Sequence, residues 1–345
     1  MRSLLKPAAG LTCLFALTMA GCSAAPEDTS KAPSAIESSS PSATSHTATG
    51  TATAYAPYVN ATAASANDTA GSPATYNLAF VISDGSGCTP KWNGTHAIGD
   101  TSVASRVSAL TKSGASVRVS FGGASGKELA AVCDGATELA EAYGAALDAA
   151  GSTRADFDVE GDDLADAGSV ALRSQAIALL QKERTDLEVT FTLPVMPSGL
   201  DAGGLALLDA ANKYDVQVST VNIMTMNYGE SYTGDMGGYA IAAATAAHAQ
   251  LKKAFGTTDA GAWKGMALTS MIGVNDVADE TFTLADAAQV RAFAEGKGVA
   301  WVSMWSAFRD RSCADGVAGQ DEPLTDCSGV KQSSGAFAKA FSAAN

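Results

Sequence analysis

The fold class this sequence predicts is α/β, arranged as a (β/α)8 TIM barrel, and three observations predict it. Eight short apolar or β-branched runs alternate with Ala- and Leu-rich stretches of helical pattern. The folded part holds roughly 290 residues without a second Pro/Ser-rich linker, which suits one large barrel domain. Polar and aromatic residues gather where several of the runs end, and a barrel places its site at the C-terminal ends of its strands.

The strand candidates are 54–59, 76–83, 116–121, 155–160, 187–193, 220–226, 266–271 and 299–305. Helical patterns fall between them, for example over 136–149, 169–182, 239–255 and 285–295, where Ala and Leu dominate as helix propensity favours. Repeated strand, helix, strand units read as a barrel. A doubly wound open sheet shares that alternation and is the competing architecture.

Ahead of the barrel the chain is of another kind. Residues 1–22 carry Arg2 and Lys6, an apolar run over 11–20, and then Gly21-Cys22, the order of an export signal. The run is too short for a membrane span. The segment 18–22 also resembles a bacterial lipoprotein box, which makes Cys22 the expected lipidation site; the alternative is an ordinary signal cut near Ala24 or Ala25. Residues 23–53 are rich in Ser, Thr, Ala and Pro, too poor in large apolar side chains to offset chain entropy, and read as a disordered tether to a domain at 54–345.

The net charge of −14 opposes a nucleic-acid or anionic-membrane partner, either of which needs basic clusters. Membrane contact is therefore expected only through lipid on Cys22, and the protein is expected to be an exported monomer, secreted or held at the cell surface. Four cysteines, Cys88, Cys133, Cys313 and Cys327, fall in the folded part and suit disulfides in an oxidising compartment. Three pairings are open. Loop proximity favours Cys313 with Cys327 and Cys88 with Cys133. No metal or cofactor is expected, since there is no Cys-x-x-Cys pair and His96 and His248 are isolated.

The chemistry centres on Arg154-Ala155-Asp156-Phe157-Asp158-Val159-Glu160-Gly161. Side chains alternate across a strand, so the three acids share one face and Ala155, Phe157 and Val159 the other. With the apolar face toward the helices, the carboxyls stack up the barrel axis, successive ones about 6.6 Å apart. Acids that close in a partly desolvated site cannot all ionise freely, so at least one keeps a proton to donate. Glu160, nearest the strand end and with the longest reach, is the natural general acid. A calcium loop starts with similar spacing, but Ala167 occupies the twelfth position, where a bidentate Glu is required. A merely solvated acidic edge is opposed by the apolar alternates.

The preceding strand ends Ser120-Phe121-Gly122-Gly123, whose glycines permit close backbone approach. This motif and the acid strand together resemble the family 18 glycoside hydrolases, the chitinases and their relatives, with their Ser-x-Gly-Gly and Asp-x-x-Asp-x-Asp-x-Glu. Thr153 stands in place of the first Asp. Met224-Thr225-Met226-Asn227-Tyr228-Gly229 resembles the sixth-strand Met-x-Met-Asp-Tyr-Gly variant with Asn227 for Asp, and 301–311 resembles the eighth strand. The stretch 271–276 looks like the seventh-strand region of actinobacterial members.

The resemblance implies retaining hydrolysis of β-1,4-N-acetylglucosaminide bonds in chitin or chito-oligosaccharides, the substrate's own acetamide assisting. Glu160 is then the acid, Asp158 the partner of the acetamide, Asp156 a tuner that shares a proton or hydrogen bond with Asp158, and Tyr228 a donor to the acetamide oxygen. Trp305, Met226, Asn227, Ser120, Gly122 and Gly123 are the expected substrate contacts. Thr153 is expected to alter the hydrogen bonding of Asp156, and Asn227 to shift pH optimum or substrate preference. Only about a dozen residues separate Met271 from Leu284, too few for the α+β insertion that deepens some clefts, so a shallow groove is expected. Two other readings stand beside this one: an endo-β-N-acetylglucosaminidase acting on glycans, and a non-catalytic carbohydrate-binding barrel.

Overall fold

A computed structural model describes residues 53–314 and 326–342. The expected export signal, Cys22 and most of the tether lie outside the described residues. Eight parallel strands form the central ring: β1 in two pieces, Ala54–Tyr55 and Tyr58–Asn60, then β2 (Thr75–Ser83), β3 (Ser116–Gly122), β4 (Arg154–Asp158), β5 (Glu188–Pro194), β6 (Val218–Met224), β7 (Met266–Met271) and β8 (Trp301–Trp305). Each pairs with its sequence neighbour from β2 through β7.

The first strand decides between the two architectures. Its first piece pairs with β8, Ala54 opposite Trp301, and its second with β2, Tyr58 opposite Asn77, so the ladder runs round into a barrel. Pro57 lies at the break, having no N–H to give to either ladder. Its carbonyl still accepts from the Asn77 N–H at 2.9 Å.

Helices α1 (Thr101–Thr111), α2 (Ala136–Ala150), α4 (Ala167–Glu183), α5 (Ala202–Lys213), α6 (Met236–Phe255) and α8 (Leu284–Lys297) lie between successive strands, with the short α3 (Gly161–Ala165) after β4, α7 (Asp259–Lys264) before β7, and α9 (Ala336–Ser342) after β8. Several start earlier than helix periodicity suggests because a cap fixes them. Asp166, Asp235 and Thr283 each accept a backbone N–H from the first turn, and Asp286 completes a capping box with Thr283.

The outward face of β4 is locked by aromatic packing. Phe157 stacks on Phe121 at 5.2 Å and meets Tyr143 of α2 edge-on at 4.9 Å, and Phe191 of β5 lies 5.9 Å away. Burying that face leaves Asp156 and Asp158 no direction but inward. The predicted strand over 155–160 ends at Asp158, although the Val159 N–H still donates to the Thr192 carbonyl at 3.0 Å. Glu160 keeps an extended backbone and stands at the N-cap of α3.

Both favoured disulfides are present, Cys88–Cys133 with Cα atoms 4.5 Å apart and Cys313–Cys327 with Cα atoms 5.1 Å apart. They close loops of 45 and 14 residues. In the chain-entropy account such closures contribute about 4 and about 3 kcal/mol. The first ties the loop after β2 to the loop after β3, at the same end of the barrel as the acids.

Candidate active site

A cavity of about 340 Å³ opens at the C-terminal ends of the strands. Asp158, Glu160, Thr192, Met224, Met226, Asn227, Thr269 and Trp305 are among the residues that line it, joined by Tyr58, Phe80 and Asp276.

Asp156, at its base, is fully enclosed. One carboxylate oxygen accepts from the Tyr58 hydroxyl at 2.8 Å and from Ser120 Oγ at 2.7 Å. The other accepts from Thr192 Oγ1 at 2.6 Å. Behind Thr192 the relay continues: Asn222 Nδ2 donates to Thr192 Oγ1 at 2.9 Å, and Thr269 Oγ1 donates to Asn222 Oδ1 at 2.9 Å. Burial pushes the Asp156 carboxyl up, while these hydroxyls and the Arg118 charge pull it back.

Asp158 is placed differently. It is 6% exposed, and its Oδ1 is enclosed without a hydrogen-bond partner. Burial first, and then the charges of Glu160 and Asp156, raise its carboxyl well above the usual carboxylate range. No hydrogen bond joins it to Asp156, whose oxygens are taken by three hydroxyls. The two acids therefore act on each other here through charge, not through the shared bond expected from the sequence.

Glu160 lies highest, half-buried at the cavity wall. Its carboxyl is also raised, by burial first and then by Asp276 and Asp163. Burial is thus the main cause that raises the carboxyls of Asp158 and Glu160, with repulsion from neighbouring acids adding to it.

The glycines and Ser120 serve this arrangement from behind the wall. Gly122, at φ +93°, lies so near β4 that a Cβ would come within 2.1 Å of the Asp158 carbonyl oxygen, and that same oxygen accepts from the Gly123 N–H at 3.1 Å. A Cβ on Gly123 would meet the Phe80 ring at 2.8 Å. Ser120 is fully buried against Asp156. None of the three is among the residues that line the cavity: Gly122 and Gly123 pack against β4 and Phe80, and Ser120 bonds Asp156.

Asn227 and Met226 do line the cavity. Asn227 adopts φ +54°, a left-handed conformation that Asn tolerates. Its Nδ2 donates to Asp276 Oδ2 at 3.2 Å, and its Oδ1 accepts from the Asp276 N–H at 3.1 Å. An amide does both jobs at once, whereas an aspartate would set a second carboxylate against Asp276. Tyr228 is not brought to the wall. It follows the left-handed residue Asn227 and is buried in a cluster with Tyr232 and Tyr239, ring centroids 5.7 and 6.2 Å away. Thr153 is exposed at the base of β4, and the hydrogen bonds of Asp156 all come from elsewhere, so that departure does not reach the acid centre.

Trp305 presents a half-buried ring to the cavity, stacked on Phe80 at 5.6 Å and edge-on to Tyr58 at 5.8 Å. The short connection after β7 is a two-stranded hairpin, Gly273–Val274 with Thr281–Phe282, that carries Asp276 at its tip. Glu280, fully buried in the same hairpin, accepts from the Gly229 N–H at 2.8 Å and pins the β6 loop to it.

Tyr58, Phe80, Thr192, Asn222, Asp276 and Glu280 join the site although no motif in the sequence marks them for it. Asp276 was visible as a polar residue just past a strand end, where a barrel collects function. The others carried no signal beyond residues of ordinary strand or loop type.

No family model matches the chain. It is 34% identical over 275 residues to an Escherichia coli (strain K12) protein named "Probable bifunctional chitinase/lysozyme", covering 74% of this chain and 31% of that protein. It is 32% identical over 278 residues to "Endochitinase 11" of Metarhizium anisopliae, covering 75% of this chain and 53% of that protein. The chain therefore spans about a third and about half of the length of these curated relatives. The catalytic domain of a hyperthermophilic chitinase from Pyrococcus furiosus superposes with a TM-score of 0.72 at 30% identity, covering 83% of this chain and 93% of that domain. A GH18 chitinase from Pseudoalteromonas aurantia, at 14% identity and a TM-score of 0.51, shares the fold.

Barrel, acid stack and aromatic floor define a glycosidase-type site. The chain belongs to the chitinase-like family 18 glycoside hydrolases.

Proposed function

We propose that this barrel hydrolyses β-1,4 bonds in chitin or chito-oligosaccharides with retention, the N-acetyl group of the substrate acting as the nucleophile. The observation that carries this reading is the enclosed, unpartnered Oδ1 of Asp158 beside a Glu160 that is also raised in pKa.

Glu160, protonated and at the wall, gives its proton to the glycosidic oxygen as the bond breaks, and afterwards takes one from the incoming water. Asp158 faces the acetamide: its free oxygen receives the amide N–H and orients the carbonyl oxygen toward the anomeric carbon, while the net negative charge of the Asp156–Asp158 pair offsets the positive charge that develops on nitrogen. The Trp305 ring supplies a flat apolar floor for the sugar. Asn227 and Asp276, on the loops after β6 and β7, line the cavity and offer polar contacts to sugar hydroxyls. The Tyr228 hydroxyl, buried and without a hydrogen-bond partner, is the candidate donor to the acetamide oxygen.

The test is product analysis on chitin, chito-oligosaccharides and a high-mannose glycopeptide, together with turnover of a fluorogenic chitobioside between pH 4 and 8. Release of chito-oligosaccharides of retained configuration is expected. Cleavage of the glycopeptide alone would make the protein an endo-β-N-acetylglucosaminidase, and well-folded protein with no turnover anywhere in that range would overturn the enzymatic reading.

The two disulfides suit export to an oxidising compartment, and no helix among the described residues is long and apolar enough to cross a membrane. We further propose lipid attachment at Cys22, tested by palmitate labelling of the expressed protein against a Cys22→Ala variant.

A further inference from the structure

Arg118 lies on β3 two residues before Ser120, on the same face, and is 6% exposed. A buried guanidinium is costly unless paired. Elsewhere in this molecule that need is met directly: Arg173 bonds Glu128 at 2.7 Å, and Arg291 bonds Glu295 at 2.6 Å. Arg118 has no such partner among the described residues. Its Nη1 donates to the amide oxygen of Asn77 at 2.6 Å, and its Cζ lies 4.7 Å from the centre of the Trp301 ring. Asn77 is itself held by the Ala56 carbonyl at 2.8 Å, so the guanidinium is fixed by neutral groups.

Asp156 is the complementary case. It is a fully buried carboxylate bonded only to the neutral hydroxyls of Tyr58, Ser120 and Thr192. Arg118 stands on the neighbouring strand, one same-face position below Ser120, which pairs with Asp156 in register, and its charge bears on the Asp156 carboxyl without a direct bond. A cation with only neutral ligands and an anion with only neutral ligands, enclosed in one barrel stem, are each other's countercharge.

We propose that Arg118 is a positioning residue for the reaction: its charge keeps Asp156 ionised in the barrel stem, so that the proton of the stacked pair rests on Asp158. This rests on the glycosidase reading of the two acids. Asp158 carries that proton where it meets the acetamide, and Asp156 supplies the negative charge below that keeps the proton there. The groups facing Asp156 are Tyr58 of β1, Arg118 and Ser120 of β3, Asp158 of β4 and Thr192 of β5, so Arg118 is the one cation among them. Arg154 and Glu188 also face Arg118 but neutralise each other. Burial lowers the Arg118 pKa and the field of Asp156 supports it, as the pairing requires.

Activity falls on the acid side when Asp156 takes up a proton as well as Asp158. Removing the Arg118 charge makes that protonation easier, so the acidic limb of the kcat profile moves to higher pH. For Arg118→Met in the full chain the expected displacement is about one pH unit, or about a tenfold rate loss on that limb, with KM changed less than about twofold. Arg118→Lys should restore most of the limb. A folded Arg118→Met with the wild-type limb, even at a lower melting temperature, would reduce Arg118 to packing and overturn the proposal.

Should Arg118→Met fail to fold, carboxyl carbon NMR of the wild-type protein decides, with Asp156→Asn assigning the signal. Asp156 titrating below Asp158 is the expected order, and the reverse order defeats the proposal. A wild-type protein without turnover would remove the glycosidase reading, and the titration order would still decide what Arg118 does.

Discussion

Asn227 and Asp276 hold one another across two loops, amide to carboxylate at 3.2 Å and backbone N–H to amide oxygen at 3.1 Å. Asp276 is also the first charge, after burial, to raise the carboxyl of Glu160. The residue that differs from the family motif is thus matched to an acid on the next loop, and that acid bears on the proton donor.

Replacing Asp276 by Asn removes this charge and lowers the Glu160 pKa. Glu160 is needed protonated, so the basic limb of the pH profile should move down. Asp276 is exposed and screened by salt, so a displacement of about half a pH unit is expected, smaller at high ionic strength. Rate profiles at two salt concentrations check this. An unmoved basic limb would separate Asp276 from Glu160.

Glu160→Gln keeps the shape and removes the proton. Hydrolysis should fall by a factor on the order of 10² to 10⁴ while chito-oligosaccharide binding, read by calorimetry, stays near normal. Retention of more than a few per cent of the rate would assign the acid elsewhere.

Asp158→Asn should damage catalysis and stabilise the fold. The folded carboxyl is raised well above its unfolded value, so wild-type stability falls as pH rises from the unfolded pKa, about 3.9, through the folded one. The neutral amide escapes that loss. Its gain in melting temperature should be small near pH 4 and grow toward pH 7. Equal melting curves at both pH values would mean that the buried Oδ1 costs the fold nothing.

Gly122→Ala forces a Cβ against the Asp158 carbonyl at a backbone angle that L side chains rarely adopt. A loss of about 2 kcal/mol or more is expected, with activity falling further than stability because β4 carries the acids. Denaturant unfolding beside kcat measures both. A fully active, wild-type-stable variant would show that β3 and β4 tolerate separation there.

The alternation of Ala155, Phe157 and Val159 with Asp156, Asp158 and Glu160 was legible because a strand has a period of two, and one apolar face against helices fixes where the other face points. The barrel itself was legible as repeated strand and helix patterns, and Gly122-Gly123 as a place where backbones approach. Boundaries were less so: caps such as Asp166 and Thr283 act through individual hydrogen bonds that periodicity does not register.

The partners of those acids were not legible. Tyr58 reaches Asp156 from 98 residues away only because the first strand closes the ring beside β2, and the Asn222 to Thr192 relay exists only because β5 and β6 are neighbours in that ring. Asp276 meets Asn227 because a hairpin folds back and Asn227 takes a left-handed turn. Local periodicity determines which side of an element a residue occupies. Which residues then meet across the barrel depends on ring closure and loop conformation, and those are set by contacts between distant parts of the chain.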